Sequence, residues 1–257
     1  MRNKRPSPIS KYVFKACKSV TRLIYSKMKI IGIEDIPSEN TVIVANHAQL
    51  SGPIIAELYM PENCFIWANG QMMSYKDVPE YAMEDFFSYK KPWQRPVFRI
   101  VSYLLAPILP CVMKNARVIP VYHDARIAST LKSTVKMLAE GRNILIFPEC
   151  HIKCNNIINQ MQESFVDVAK LYYKRTGKCL NFLPMYIAPK LHRCYFGEMI
   201  RFDPNENISD ERHRITEHIA VEITRIGCML PEHTVIPFDN ISRKEYISNK
   251  DVDSLPE

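Results

Sequence analysis

Apolar residues follow two rhythms along this chain: short unbroken runs, and stripes at spacings of three and four. Unbroken apolar runs bounded by polar turns are the pattern of strands covered on both faces of a sheet. They fall at 29–33, 41–45, 64–68, 116–122, 143–147 and 180–187, with one more within 193–202. Stripes predict helices over 8–28, 53–59, 78–87, 125–140, 161–175 and 208–227. The stripe Ile127, Leu131, Val135 and Leu138 stops at Gly141, and the one through Phe165, Val168, Ala169 and Tyr172 stops at Gly177. Ser209 or Asp210 starts the last helix. Strands alternating with helices predict an α/β fold, a mixed and mostly parallel sheet flanked by helices. Three segments are expected: an N-terminal amphipathic helix over 1–28, an α/β domain over 29–238, and a loosely attached polar tail over 239–257.

The 257 residues suit one large α/β domain or two small ones and allow a sizeable core. Charge changes the picture more. The formal net charge is +7, and residues 1–30 carry nine Lys and Arg and no acid; the first is Glu34. The stripe Val13, Cys17, Val20, Ile24 and Met28 runs between those cations. A basic amphipathic helix fits an anionic membrane surface, and equally a helix packed on its own domain with a solvated basic face. No nucleic-acid motif accompanies the charge, so a nucleic-acid partner is not expected. Residues 97–113 are apolar but contain Arg99, Ser102, Pro107 and Pro110 and fall short of the roughly 20 residues of a membrane span. A buried or interfacial helix is expected there instead. The eight cysteines form no Cys-x-x-Cys pair, and with no signal peptide visible a reducing cytosol is the expected compartment. Cys150, His151 and Cys154 lack an evident fourth ligand, so no metal is expected.

The candidate chemistry sits at the ends of the strand-like runs. The run 41–45 ends in Asn46-His47, and imidazole takes up a proton near neutrality without a large environmental shift. Downstream come Ile119-Pro120-Val121, Phe147-Pro148-Glu149 and Leu183-Pro184-Met185, each a run with a proline at or near its end. In this order and spacing the chain resembles the glycerolipid and lysophospholipid acyltransferase family from about residue 31 to about residue 202. That family opens its site with Asn-His, four residues and Asp. Here Gly52 stands where the family has the aspartate, followed by Pro53.

The resemblance implies transfer of a fatty acyl group from acyl-CoA or acyl-carrier protein to a lysophospholipid, a glycerol phosphate or a related amphiphilic alcohol. No cofactor is implied beyond the donor. The partners implied are a membrane lipid or lysolipid acceptor and an anionic membrane surface, with the protein cytoplasmic and peripheral on the inner face. His47 is the expected base. Glu149, or else Asp124, is the expected carboxylate that orients it in place of the missing acid. Asn46, Gly52, His123, Arg126, Phe147, Pro148, His151 and Lys153 are expected to bind substrate, with Arg126, His151 and Lys153 replacing positive charge that the family places on its second and third blocks. His47, Glu149 and the segment 120–126 are expected to line one cleft. A non-catalytic lipid-binding or donor-binding module of the same fold, and a thioester hydrolase, are the alternatives.

Overall fold

Buried runs fold as strands and half-buried stripes as helices, the two alternating over residues 41–69 and again over 118–146. A computed structural model describes residues 8–37, 40–122 and 124–251. In chain order the elements are α1 (Pro8–Ile24), β1 (Lys29–Ile30), β2 (Thr41–Ala45), α2 (Ser51–Tyr59), β3 (Cys64–Asn69), α3 (Val78–Glu84), α4 (Arg95–Leu105), α5 (Ile108–Met113), β4 (Val118–Val121), α6 (Ile127–Ala139), β5 (Asn143–Ile146), β6 (Glu149–Lys153), β7 (Asn159–Met161), α7 (Asp167–Thr176), β8 (Asn181–Ala188), β9 (Arg193–Phe196), β10 (Ile200–Arg201) and α8 (Ile208–Met229). The chain divides into two compact units, one of Met1–Ser26 with Trp67–Thr130, the other of Lys27–Ile66 with Leu131–Glu257.

The second unit holds the sheet. Its strand order is β1-β9-β8-β2-β5-β3, with β10 also paired to β8. β2 runs parallel to β8 on one side and to β5 on the other, and β3 runs parallel to β5. β9 and β10 pair antiparallel with β8. The sheet is therefore mixed and mostly parallel, as the alternation predicts. Every residue of β2 and of β5 is buried, which explains why these strands read as unbroken apolar runs rather than as alternation. α8 buries Ile215, Ile219 and Ile223 at a spacing of four, one continuous stripe. Its start is capped by Asn207, whose side chain accepts the amide of Ser209. A separate two-stranded antiparallel ribbon, β6 with β7, follows β5 directly.

The first unit contains α1, α3, α4, α5 and β4. α1 packs along α5, where Ser10 Oγ donates to the Cys111 carbonyl at 3.3 Å and Asn115 Nδ2 donates to Ser10 Oγ at 2.5 Å. Only Ser10 of α1 is buried. Its apolar side chains remain largely outside: Ile9, Tyr12, Val20, Leu23 and Ile24 are all exposed. On α4 the same holds for Val97, Ile100, Tyr103 and Leu104, which form a single apolar stripe. The segment Arg95–Met113 proves long and apolar enough, by length and composition, to cross a membrane, with 11% of it buried. Ala106 and Pro107 interrupt it between α4 and α5, in line with the break expected from its prolines.

Residues 239–251 also differ from the expected loose tail. Asn249 is fully buried; its side chain accepts the amide of His233 at 2.8 Å and donates to the Gly227 carbonyl at 2.8 Å. Val235 N–H donates to the Ile247 carbonyl, and Lys250 Nζ reaches the carbonyls of Cys228 and Leu230 at the end of α8. This C-terminal strap is tied down by polar contacts, which is why its polar composition misread as loose attachment.

Candidate active site

β2 carries the site to the carboxyl end of the sheet, where ligands collect in open α/β folds. Asn46 is the first residue past the strand and is 2% exposed. Its Oδ1 accepts the amide of Ile187 at 2.6 Å and its Nδ2 donates to the Ile187 carbonyl at 3.1 Å. Both polar atoms are engaged by β8, so Asn46, expected to bind substrate, fixes the strand end.

A tight turn then presents His47. Ala48 and Gln49 both adopt left-handed backbone conformations, with φ of 47° and 52°. Such conformations cost L-residues roughly 1–2 kcal/mol each. Here they bring the Gln49 carbonyl back to the histidine ring: His47 Nδ1 lies 2.6 Å from it. A carbonyl only accepts, so Nδ1 carries the hydrogen and Nε2 presents its lone pair. The turn closes with Gly52 N–H donating to the His47 carbonyl at 3.1 Å. A Cβ on Gly52 would lie 2.2 Å from that same carbonyl oxygen and 3.1 Å from the Phe147 ring. No acid fits at position 52 without remaking the turn, and the glycine serves this close approach.

Glu149, 6% exposed at the start of β6, meets His47 at its backbone. One carboxylate oxygen accepts the His47 backbone amide at 2.5 Å; the other accepts the Asn159 amide at 2.8 Å. Burial pushes its carboxyl up to about 7; the two amide hydrogen bonds act the other way, and nearby Asp239 adds a smaller upward push. Glu149 therefore pins the backbone of the turn to β7. At His47 Nδ1, where a carboxylate was expected to orient the ring, the contact is with the Gln49 carbonyl.

Two phenyl rings wall the histidine. Phe147 lies edge-on at 5.2 Å between ring centroids and Phe238 at 5.5 Å. Pro148 contributes its carbonyl to the Gln162 amide, a structural contact, and Lys153 projects exposed from β6. His151, two residues beyond Glu149, is highly exposed, and its Nδ1 meets Asp239 Oδ1 at 2.6 Å.

Sequence reasoning missed the strap's share of the site. Asp239 also accepts from Asn159 Nδ2 at 3.1 Å, and its backbone carbonyl accepts from Gln49 Nε2 at 2.8 Å. Gln49 Oε1 in turn accepts the Tyr246 hydroxyl at 2.7 Å. Gln49 thus faces the ring with its backbone and the strap with its side chain. The one available signal was the Phe238-Asp239 pair at the boundary of the predicted domain and tail.

The second block belongs to the first unit. Arg126 is exposed and forks onto Asp124 with both Nε and Nη2, the shorter contact being 2.6 Å, while its guanidinium stacks 4.0 Å from the Tyr122 ring centroid. The Asp124 hydrogen bonds hold its guanidinium charge even more firmly than usual. Asp124 is therefore engaged by Arg126. His123 lies outside the described residues. Among the described residues no group of three or more His, Cys, Asp and Glu is placed to hold a metal ion.

No family model matches the sequence. No curated protein matches it either. Among solved structures, the chain is similar to the crystal structure of the 1-acyl-sn-glycerophosphate acyltransferase PlsC from Thermotoga maritima, with 14% sequence identity, a TM-score of 0.45, and coverage of 82% of this chain and 79% of that one.

Proposed function

We propose that this protein is an acyltransferase. It moves a fatty acyl group from acyl-CoA or acyl-carrier protein to the hydroxyl of a lysophospholipid, a glycerol phosphate or a related amphiphilic alcohol at a membrane surface. The observation that carries the reading is the tautomer of His47, whose hydrogen is held on Nδ1 by the Gln49 carbonyl. Nε2 is then the proton acceptor, at the end of the central strand. As the acceptor hydroxyl attacks the thioester carbon, His47 Nε2 takes its proton. Glu149 holds the histidine's backbone, and Phe147 and Phe238 restrict the ring.

The membrane surface enters through the first unit. The exposed apolar side chains of α1 and α4 accompany Lys11, Lys15, Lys18 and Arg22 on α1. Apolar side chains beside cations match the interface of an anionic bilayer. The reading makes the protein peripheral on the cytoplasmic face.

The test is incubation of purified protein with labelled acyl-CoA and acyl-carrier protein, a crude lipid extract and anionic vesicles, followed by lipid mass analysis. A new acyl ester, lost in His47→Ala, supports the proposal; free fatty acid as the sole product replaces it with hydrolysis. One observation favours a second reading, a non-catalytic lipid-binding module: Nδ1 faces a neutral carbonyl where a carboxylate would stabilise the protonated ring. Donor binding with no turnover of any kind would select that reading.

A further inference from the structure

Two successive left-handed residues are a costly way to build a turn, and such conformations persist only where the surroundings over-determine them. In the turn after β2 they are Ala48 and Gln49, with φ of 47° and 52°. Ala48 is held by burial. Gln49 is held from far along the chain. Its side-chain amide is gripped at both ends by the strap: Nε2 donates to the Asp239 carbonyl at 2.8 Å, and Oε1 accepts the Tyr246 hydroxyl at 2.7 Å. An amide set between an acceptor and a donor cannot flip without losing both hydrogen bonds.

The strap delivers those two partners together. Thr234 and Ser248 form an antiparallel bridge, and the Val235 amide donates to the Ile247 carbonyl at 2.9 Å, so residues 234–248 make a loop closed at its base. Within the loop, Asp239 is fixed through its side chain by Asn159 Nδ2 at 3.1 Å and His151 Nδ1 at 2.6 Å. The loop thus sets Asp239 and Tyr246 on one amide 190 and 197 residues upstream. Its grip reaches the imidazole through the backbone. With Gln49 left-handed, the Gln49 carbonyl lies 2.6 Å from His47 Nδ1. Relaxation of Gln49 into the ordinary α or β region would carry that carbonyl away. Resting on the acyltransferase reading for its effect on rate, we propose that Gln49 and Tyr246 are positioning residues. The strap clamps the Gln49 side chain, the clamped residue stays left-handed, and its carbonyl keeps the hydrogen of His47 on Nδ1, so that Nε2 presents its lone pair to the acceptor hydroxyl.

The test reads the tautomer directly and the rate beside it. Ring-nitrogen NMR on isotope-labelled protein separates a nitrogen that carries hydrogen from one that does not, and the His47 signals are those absent from His47→Ala. At about pH 8, above the ordinary imidazole pKa, the wild type is expected to show Nδ1–H at His47. Gln49→Ala removes both clamp contacts and Tyr246→Phe removes one; both are expected to show a mixture of tautomers. With acyl-CoA as donor and the lipid extract as acceptor, Gln49→Ala should lower kcat by about 5–30-fold with KM unchanged, and Tyr246→Phe by less. Gln49→Gly makes the decisive comparison. It loses the same two hydrogen bonds, yet glycine enters the left-handed region at no steric cost, so it should recover much of the Nδ1–H signal and of the rate. Equal losses in Gln49→Ala and Gln49→Gly, or an Nδ1–H signal unchanged in Gln49→Ala and Tyr246→Phe, overturn the clamp even where unfolding curves show lowered stability. Should the Gln49 variants not fold, Tyr246→Phe decides the matter by its tautomer alone. A wild type that shows Nδ1–H, loses it in the variants and yet transfers no acyl group overturns the acyltransferase reading and leaves the clamp standing.

Discussion

His47 Nδ1 donates to the backbone carbonyl of Gln49, two residues further along the same turn. A side-chain carboxylate would perform two tasks for such a ring, fixing the tautomer and supplying a counter-ion. The carbonyl performs the first only. Loss of the acid from a serine-protease triad costs roughly 10⁴ in turnover, much of it through the wrong tautomer. The turn here avoids that part of the loss by geometry. His47→Ala is therefore expected to abolish acyl transfer, measured as ester formation from labelled donor; a variant as active as wild type would eliminate His47 as base.

Restoring an acid at position 52 is expected to harm the protein. A Cβ there sits 2.2 Å from the His47 carbonyl oxygen, so Gly52→Asp forces the turn apart. Overpacking of this kind typically costs about 1–3 kcal/mol. Urea unfolding should show the loss, and the acyl-transfer rate should fall. A rise in activity with unchanged stability would mean that the turn accepts a side chain.

Glu149 gives stability a pH dependence. Its folded pKa is raised, to about 7 from an ordinary 4.5, mainly by burial. The folded state then binds a proton more tightly than the unfolded chain, so this group's contribution is complete below about 4.5 and is lost as pH rises towards 7. Within that window its slope is negative and at most about 1.4 kcal/mol per pH unit. Glu149→Gln should remove this component. It should also lower stability by about 1–3 kcal/mol, because the amide nitrogen faces one of the two backbone N–H donors. Denaturant midpoints across the window, wild type against variant, decide the matter; parallel curves would contradict it.

The strap should loosen when its buried anchor is cut. Asn249→Ala leaves the His233 amide and the Gly227 carbonyl without their partner. Hydrogen exchange at the Val235 amide, which donates to Ile247, should accelerate. Protection equal to wild type would show that the strap is held by other contacts.

Membrane association is expected to follow charge and apolar area in the first unit. Replacing Lys11, Lys15 and Lys18 by Gln should weaken co-sedimentation with anionic vesicles by about 1 kcal/mol per lysine at low salt. Ile100→Asp, on the exposed stripe of α4, should weaken it at any salt concentration. Binding of both variants equal to wild type would remove the bilayer from the reading.

The sheet was legible in the sequence because β2, β5 and β8 are buried on both faces, and full burial writes itself as unbroken apolar runs. His47 and Glu149 were legible for a related reason, since each directly follows such a run or its proline. Their roles were not. A carboxylate that grips backbone amides and one that grips an imidazole look identical as letters, and so does a glutamine whose backbone carbonyl matters more than its amide. Nor does periodicity carry contacts such as Gln49 to Asp239, 190 residues apart. The predicted helix over 161–175 begins only at Asp167, because residues Asn159–Met161 pair as β7 and Glu163–Val166 form a 3-10 turn.

Asn46 gives the sheet one rung more than its backbone supplies. By imitating a peptide group, its amide prolongs the β2–β8 ladder past Ala45 and lets it end against Ile187. The post on which the His47 ring is mounted is thus as stiff as a central strand, and any freedom the ring has begins at its own side-chain torsions. Asn46→Asp would keep the shape and lose the donor, turning that post into a hinge.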